Sequence, residues 1–572
     1  MIAKMTQYSF ILLHGDKEDF LARLQELGVV DITRSTKPVD SYSQSLLDNI
    51  ETMRRDIACA RAGSDPTLAD LIARRDDTLH EMAMAAPWGE YDRARLEAFG
   101  GLHFYCVNAK QFDPAWADRW ALQVAEEKDG LVWFVIVGDA AGFPVKALPT
   151  PQHTPAELEP VLAELEDKIE VHKQILASRK ADIPAMEHHI RSLEAELDRY
   201  LAGTAAVPAA EDTIDTLVGF APTECDAAVT AFLDGTDVLY LKDAARVEEN
   251  PPIEFKNNKF VKMFEVLTDM YGRPSYDGFD PTPFIAVFFL LFFALCMGDA
   301  GYGLVLILVG LLLRKVDSFK SLAPLVVTLG GATVVVGFFL HTFFSIDIAQ
   351  WKCFEGIRWM FLPDEIAGYA GGMVLSLIVG VVHLCLAMVV KAINAVRLKG
   401  FAASLGTLGW TLLIVGGVIV GGIALTGVMS SEVTKWVVIV LGVVAAIGIF
   451  PLNDPKRNKL ANVGLGVWDT YQMVTGLLGD VLSYLRLYAL GLAGAMLGMA
   501  FNDMGKMVLG DGSNVFLWIP FILLVLIGHT LNIAMCALGA FVHPLRLNFL
   551  EFFKNSGYEA GGRKFNPLVN NK

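Results

Sequence analysis

From Thr154 onward, apolar positions recur at alternating spacings of four and three: Leu158, Leu162, Leu165, Ile169, His172, Leu176, Arg179, Ile183, Met186, Ile190, Leu193, Leu197 and Tyr200. All but His172 and Arg179 are apolar or aromatic, which predicts one long helix with a coiled-coil seam of roughly six heptads. Thr154 can cap its start, with Pro155 in the first helical position and Glu157 completing a capping box. Pro184 predicts a kink. A seam needs a partner, and Leu46, Ile50, Met53 and Ile57 supply matching spacing within 42–62, extended through 67–84. A β-containing lobe separates the two stretches, so they pair as an antiparallel shaft over about 42–84 and 154–203. Around the shaft the pattern shortens to strand, helix, strand at Tyr8 to Leu13, Lys17 to Leu27 and Val29 to Thr33. Further β-rich runs at Leu102 to Val107 and Leu131 to Val137 predict small α/β lobes.

After residue 280 the pattern changes to long apolar runs. Candidate spans are Phe284 to Met297, Tyr302 to Leu313, Ala323 to Phe344, Ile366 to Val390, Leu405 to Val428, Trp436 to Phe450, Trp468 to Phe501 and Phe516 to Phe541 or beyond. The expected fold is an α-helical polytopic membrane bundle of about eight transmembrane helices, residues 281–572, behind an N-terminal cytoplasmic domain, residues 1–280, of α/β lobes and coiled coil. The first, second and sixth spans fall short of the roughly twenty residues that a crossing requires, so their limits are soft. Charge supports the count. With the N-terminus inside, the inner connections carry Arg314, Lys315, Lys320, Lys391, Arg397, Lys399, Lys456, Arg457 and Lys459, and the outer ones only Lys352, Arg358, Lys435 and Lys506. The tail, with Lys554, Arg563 and Lys564, falls inside as well.

Composition sharpens the division. Of 572 residues, 53% are hydrophobic; residues 1–280 hold 49 acidic and 28 basic side chains, and residues 281–572 hold 14 and 19. The first part reads as water-exposed, whereas the second has nearly eliminated ionised groups, as a lipid environment demands. Seven cysteines, Cys59, Cys106, Cys225, Cys296, Cys353, Cys385 and Cys536, form no CxxC pair, so no disulfide framework or zinc site is read. Met1 to Gly15 lacks a basic n-region and a cleavage site, which leaves the soluble half in the cytoplasm.

The last two spans stand apart because each carries ionisable groups in an apolar setting. Arg486 lies deep in the seventh span, too far from either end to snorkel easily. On one continuous helix its face also holds Gly479, Leu482, Ser483, Ala489, Leu490, Ala493, Leu497 and Ala500. Such a mostly small face lets another helix approach closely. An arginine does not relay protons at ordinary pH, but its fixed charge lowers the pKa of a passing carboxylate and favours release of that group's ion. A salt bridge to Asp480 would be the structural alternative. Arg546 follows in the eighth span, with His543 and Glu551 beside it and His529 and Asn532 further up. His383 reads as a bundle histidine and Asp299 as a turn cap. No GxxxxGK[ST], strand-linked GxGxxG, HExxH or nucleophile elbow is present, so no nucleotide hydrolysis and no cofactor or metal are expected of this chain.

The stretch Ser483-Tyr-Leu-Arg486-Leu-Tyr-Ala-Leu-Gly-Leu-Ala493 and the stretch His543-Pro-Leu-Arg546-Leu547 resemble the two signature helices of the membrane stator subunit of V-type and archaeal-type rotary ATPases, subunit I or subunit a. Val218-Gly-Phe-Ala-Pro222, Phe264 to Gly272, Asp280-Pro-Thr-Pro283, Gly298-Asp-Ala-Gly-Tyr-Gly303 and Gly380-Val-Val-His383 match further family motifs in order. The resemblance implies a cytoplasmic arm tied to peripheral stalks and a membrane half with two offset half-channels beside a rotating proteolipid ring, one carboxylate per subunit. The ring-facing helices would be 468–505 and 514–553. Arg486 takes the place of the essential arginine and Arg546 that of the second; Asp480, Ser483, His529 and His543 are the polar candidates for channel lining. Where eukaryotic relatives carry a histidine and acids, this chain has Ala493, Gly494, Gln472 and Cys536. Implied partners are the ring, peripheral stalk subunits, the central-stalk adaptor, through these the nucleotide-binding hexamer, and membrane lipid, with no nucleic acid. The implied place is the cell membrane, both termini cytoplasmic, and the short length favours a bacterial or archaeal member. The ion is a proton or sodium. A secondary ion transporter with a cytoplasmic regulatory domain is the alternative, but it calls for repeated halves with broken helices, a pairing that hydropathy does not give. A purely structural anchor would need no deep charge.

Overall fold

The computed structural model describes residues 1–34, 37–89, 101–128, 130–149, 153–209, 213–316, 319–451, 459–510 and 514–570. Lys456 and Arg457, two of the inner-connection charges, lie outside the described residues, as do the side chains of Cys353 and Lys459. The chain divides into two compact units, Met1–Phe10 with Val218–Pro567, and Ile11–Leu217 with Leu568–Lys572. The unit that holds the apolar helices therefore also takes in residues 218–281.

Strand β1 (Met5–Leu13) alternates buried and half-buried positions, the period of a strand with one face on a core. Helix α1 (Lys17–Leu27) and β2 (Asp31–Ile32) follow, then helices α2 (Ser41–Ala62) and α3 (Pro66–Ala85). Strands β3 (Leu102–Asn108), β4 (Leu122–Lys128) and β5 (Leu131–Val137) make an antiparallel sheet in the order β3-β5-β4 over Tyr105, Val107, Val132, Phe134 and Ile136. Helix α4 (Pro155–Thr204) runs 50 residues through Pro160 and Pro184 without interruption, and Glu157 Oε2 accepts from the Thr154 amide at 3.0 Å. Strands β6 (Val207–Ala209) and β7 (Ile214–Pro222), helix α5 (Asp226–Leu233) and β8 (Leu239–Ala244) complete a sheet ordered β2-β7-β1-β8, with β6 on β7.

Both α2 and α3 lie along α4. Ile50 and Ile57 bury against Ile190, with Met53, Ile183, Met186, Leu193 and Leu197 packed around them. Leu68 buries against Ile169 and Leu176. Polar contacts give the direction: Tyr42 bonds Glu196, Arg54 pairs with Glu194, Arg61 with Glu187, and Asp65 with His172. Rising numbers on α2 and α3 meet falling numbers on α4, so the packing is antiparallel. The exposed ion pairs add little, about 0–1 kcal/mol each; the apolar row supplies most of the adhesion.

The apolar helices belong to the other unit. Helices α6 (Thr282–Met297), α7 (Ala300–Leu313) and α8 (Ala323–Phe339) are apolar but short. Helices α9 (Gly371–Lys399), α10 (Leu405–Leu425), α11 (Ser431–Ile449), α12 (Lys459–Ser483), α13 (Leu485–Leu509) and α14 (Trp518–Arg546) follow. Among the described residues, five helical stretches are long and apolar enough to cross a membrane: Gly371–Lys399, Ala402–Leu425, Ser431–Ile449, Asn462–Leu509 and Val515–Ser556. Glycines permit close packing. A Cβ on Gly303 would meet the Val334 amide nitrogen at 2.7 Å, and one on Gly337 the Ala300 nitrogen at 2.2 Å, so α7 and α8 touch backbone to backbone.

Asp65 joins two levels of the antiparallel packing. Its Oδ1 accepts from the Leu68 amide at 2.7 Å, capping α3, and its Oδ2 meets His172 Nε2 at 2.8 Å. The His172 hydrogen bond, followed by the Leu68 amide, holds the carboxyl below its ordinary value. The cap is therefore complete above the unfolded Asp value of about 4 and is lost as pH falls through the lower folded value. Asp65→Ala should cost about 1 kcal/mol locally, read as roughly fivefold faster amide exchange over the first turn of α3 with α4 unchanged.

Candidate functional site

The helical stretch around Arg486 is divided at Tyr484. The Tyr484 amide bonds the Val481 carbonyl, three residues back, at 3.2 Å, and Leu485 starts a new helix. The single run expected from Trp468 to Phe501 lies within one helical stretch, Asn462–Leu509, which a one-residue turn at Tyr484 divides into two helices. Its side chain is fully buried against Gly380 of α9, where a Cβ would lie 2.3 Å from the ring. Its hydroxyl meets His383 Nδ1 at 2.9 Å, and His383 stacks on Phe552 with centroids 4.8 Å apart.

Arg486 follows two residues later, half-buried, with Nη1 buried and without an acceptor. The salt bridge to Asp480 is not formed. Asp480 instead accepts from Lys554 Nζ at 3.3 Å and from Asn555 Nδ2 at 2.7 Å. Two rows of small residues run along α13. Helix α13 packs through Leu487, Gly491, Gly494, Gly498 and Gly505, with a Cβ on Gly491 reaching 2.9 Å from the Leu295 carbonyl and one on Gly494 2.5 Å from Cys536 Sγ. The row on the Arg486 side, Ala489, Ala493, Leu497 and Ala500, is exposed. Among the described residues nothing covers it.

Arg546 ends α14, exposed, at the foot of an exposed row formed by Leu531, Met535, Leu538 and Val542. A π-helical turn, Leu547–Phe552, follows immediately. His543 lies within the fields of both Arg486 and Arg546, and its Nδ1 is buried without a partner. Ser483 donates to the Gly479 carbonyl at 3.0 Å. Asp480, Ser483, His543 and Arg486 therefore gather near the π turn.

His529 does not join them. It belongs to a second polar cluster on the far side of Arg486 along both helices. Its Nδ1 meets the Tyr302 hydroxyl at 2.8 Å and its Nε2 meets Asn502 Oδ1 at 3.0 Å. Asn532 Nδ2 donates to that same hydroxyl and to the Gly494 carbonyl, both at 2.8 Å. Asn502 Nδ2 donates to the Phe344 carbonyl at 2.9 Å. Beneath this, Asp299 accepts four amides, from Gly301, Tyr302, Phe344 and Ser345, at 2.6–3.2 Å. Phe344 and Ser345 hold φ of 47° and 57°, a left-handed pair costing about 1–2 kcal/mol per residue, and the carboxylate compensates them. Tyr302, Asn502 and the clamp on the 344–345 turn were not singled out from sequence, although Asp299 and Tyr302 fall inside the Gly298–Gly303 motif.

Comparison with known proteins completes the picture. A family model described as the V-type ATPase 116 kDa subunit family matches residues 150–321 and 467–569, the latter containing both arginines. The chain is therefore similar to the V/A-type ATPase subunit I family. It is 34% identical over 367 residues to the A-type ATP synthase subunit I of Methanocaldococcus jannaschii, covering 59% of this chain and 52% of that protein. It is 28% identical over 546 residues to V-type ATP synthase subunit I 1 of Treponema pallidum, covering 87% and 84%. With the V-type ATP synthase subunit I of Borreliella burgdorferi it shares 24% identity over 623 residues, covering 99% of each. The match spans about half the length of the archaeal relatives.

The glycine seam of α13 is testable. A Cβ on Gly498 would lie 2.0 Å from Ser345 Oγ and 2.9 Å from the Tyr302 hydroxyl, whereas one on Gly417 of α10 meets nothing within 4 Å. Gly498→Ala should lower stability by about 1–3 kcal/mol, and Gly417→Ala should leave it unchanged or raise it by up to about 1 kcal/mol, both read from thermal unfolding in detergent.

Proposed function

We propose that the chain is the membrane stator of a rotary V/A-type ATPase or ATP synthase, passing protons or sodium ions through two half-channels beside a proteolipid ring. The observation that carries this reading is Arg486, a permanent charge whose Nη1 is buried without an acceptor, at the head of a small-residue row that the described residues leave exposed. A guanidinium keeps its charge at any physiological pH, and an apolar site makes that charge expensive without an anionic partner. A carboxylate arriving on a partner helix against Ala489 and Ala493 would supply the anion. In return, the arginine lowers the carboxylate's pKa and releases its ion.

Placement of the polar groups supports two separate routes. Asp480, Ser483 and His543 lie toward the π turn, and His529 lies about 25 Å of helical rise away from Arg546 on α14. Arg486 falls between the two groups along its helix. An ion would enter by one set, ride on the ring past the arginine, and leave by the other. Its positive charge opposes direct leakage between them.

In this reading the eight apolar helical stretches of residues 281–572 cross the membrane, with α12–α13 and α14 toward the ring and Arg546 as a second cation at its edge. Residues 1–280 form the cytoplasmic arm, their antiparallel helices acting as a coiled-coil shaft to peripheral stalk subunits. Both termini are cytoplasmic. The central-stalk adaptor and nucleotide-binding hexamer complete the machine, and nucleotide chemistry belongs to them.

Arg486→Ala in the assembled complex should lower ATP-driven ion pumping roughly 100-fold or more, the scale for deleting a preorganised charge, while the complex still assembles. Pumping retained at the wild-type rate would overturn this function.

A further inference from the structure

The wide turn after Arg546 contains a carboxylate that neither the family resemblance nor the helix pattern assigns. Glu551 is 5% exposed, its Oε2 is buried with no hydrogen-bond partner, and its polar neighbours are Ser483, Asp480 and Arg486. Three further buried polar atoms also lack a partner: Arg486 Nη1, Asn548 Oδ1 on the same π turn, and His543 Nδ1, which lies in the field of Arg486. Left dry, each would carry a substantial desolvation penalty, so the region between α12, α13 and the π turn is suited to water or a cation rather than to apolar packing.

The neighbouring acid is engaged differently. Asp480 is held by Lys554 and Asn555, and Asn555 also donates to the Glu551 carbonyl at 2.7 Å. That arrangement fixes Asp480 as a counter-ion for an exposed lysine and leaves Glu551 as the carboxylate with a free oxygen. An α-helical turn there would rotate residue 551 relative to Arg546 by about one residue's worth, roughly 100°; the extra residue of the π turn sets it toward Ser483 and Arg486 instead.

We propose that Glu551 is the exchange group that carries the monovalent cation between the Lys554 end of the bundle and Arg486. The inference rests on the ion-conducting function proposed above. For a proton, Oε2 takes H⁺ from a hydronium ion, leaving water. The carboxylic acid then gives the same proton to a partner carboxylate and returns to its anionic form. For sodium, Oε2 replaces one water of the ion's shell and gives it up again on transfer. In both cases Ser483 and Asp480 mark the approach, and Arg486 limits how far the cation travels along it.

The test uses the intact complex in vesicles, with ATP-driven uptake followed by a pH-sensitive dye in sodium-free medium and, separately, by radioactive sodium, which tells the two cations apart. In whichever arm the wild type is active, Glu551→Gln should lower uptake at least about tenfold at equal complex yield, and Glu551→Asp should recover it to within about threefold. Wild-type uptake by Glu551→Gln overturns the proposal. Should that variant fail to assemble, Ser483→Cys decides: modification by a small charged thiol reagent from solution, with slowed uptake, supports the path, and a thiol that stays unmodified in the folded complex overturns it. Wild-type uptake by Glu551→Gln alongside an inactive Arg486→Ala would remove only this inference, whereas an active Arg486→Ala would remove the function beneath it.

Discussion

A guanidinium in an apolar bundle cannot neutralise itself by losing its proton, so everything around Arg486 must be arranged to tolerate a fixed positive charge. The fold does this without giving it a permanent salt bridge. Asp480, the acid one and a half turns before it, is drawn away by Lys554 and Asn555. Glu551 faces it but keeps an oxygen free. The charge therefore stays available to a group from outside the chain, the property that the proposed stator function calls for.

Rigidity comes from the opposite side of the same helices. Tyr484 is pinned by Gly380 and His383, and His383 in turn stacks on Phe552. Glycines at 491, 494 and 498 bring α13 against α6, α14 and the 344–345 turn. These glycine contacts of α13 lie away from the row Ala489, Ala493, Leu497 and Ala500. A helix held tightly on one face can present the other at a fixed distance, which matters where a charge must act on a passing carboxylate without bonding to it.

Much of this was legible in the chain. The four-and-three spacing from Leu158 to Tyr200 located a helix that does run from Pro155 to Thr204, and the Thr154–Glu157 pair marked its start. Apolar length and the scarcity of charge located the helical half, and Arg486 stood out because few residues cost more in that setting. What periodicity could not reveal was the turn at Tyr484, whose ring packs on a glycine about one hundred residues earlier. Nor could it choose between the alanine row and the glycine seam of α13, both small. Glu551 escaped because a lone acid near a helix end usually faces water, and only the π turn directs it inward. His529 was picked out for its polarity, but its partners Tyr302 and Asn502 lie far away in sequence.

The central claim is that the open row beside Arg486 faces a proteolipid helix. Disulfide cross-linking from Ala493→Cys in the assembled complex, against single cysteines placed along the outer helix of the ring subunit, tests it most directly. The account predicts a cross-linked product between this chain and the ring subunit, formed at the level of the ring carboxylate and suppressed when the ring is turning. A cysteine at 493 that forms no product with any ring position in the intact complex would contradict it.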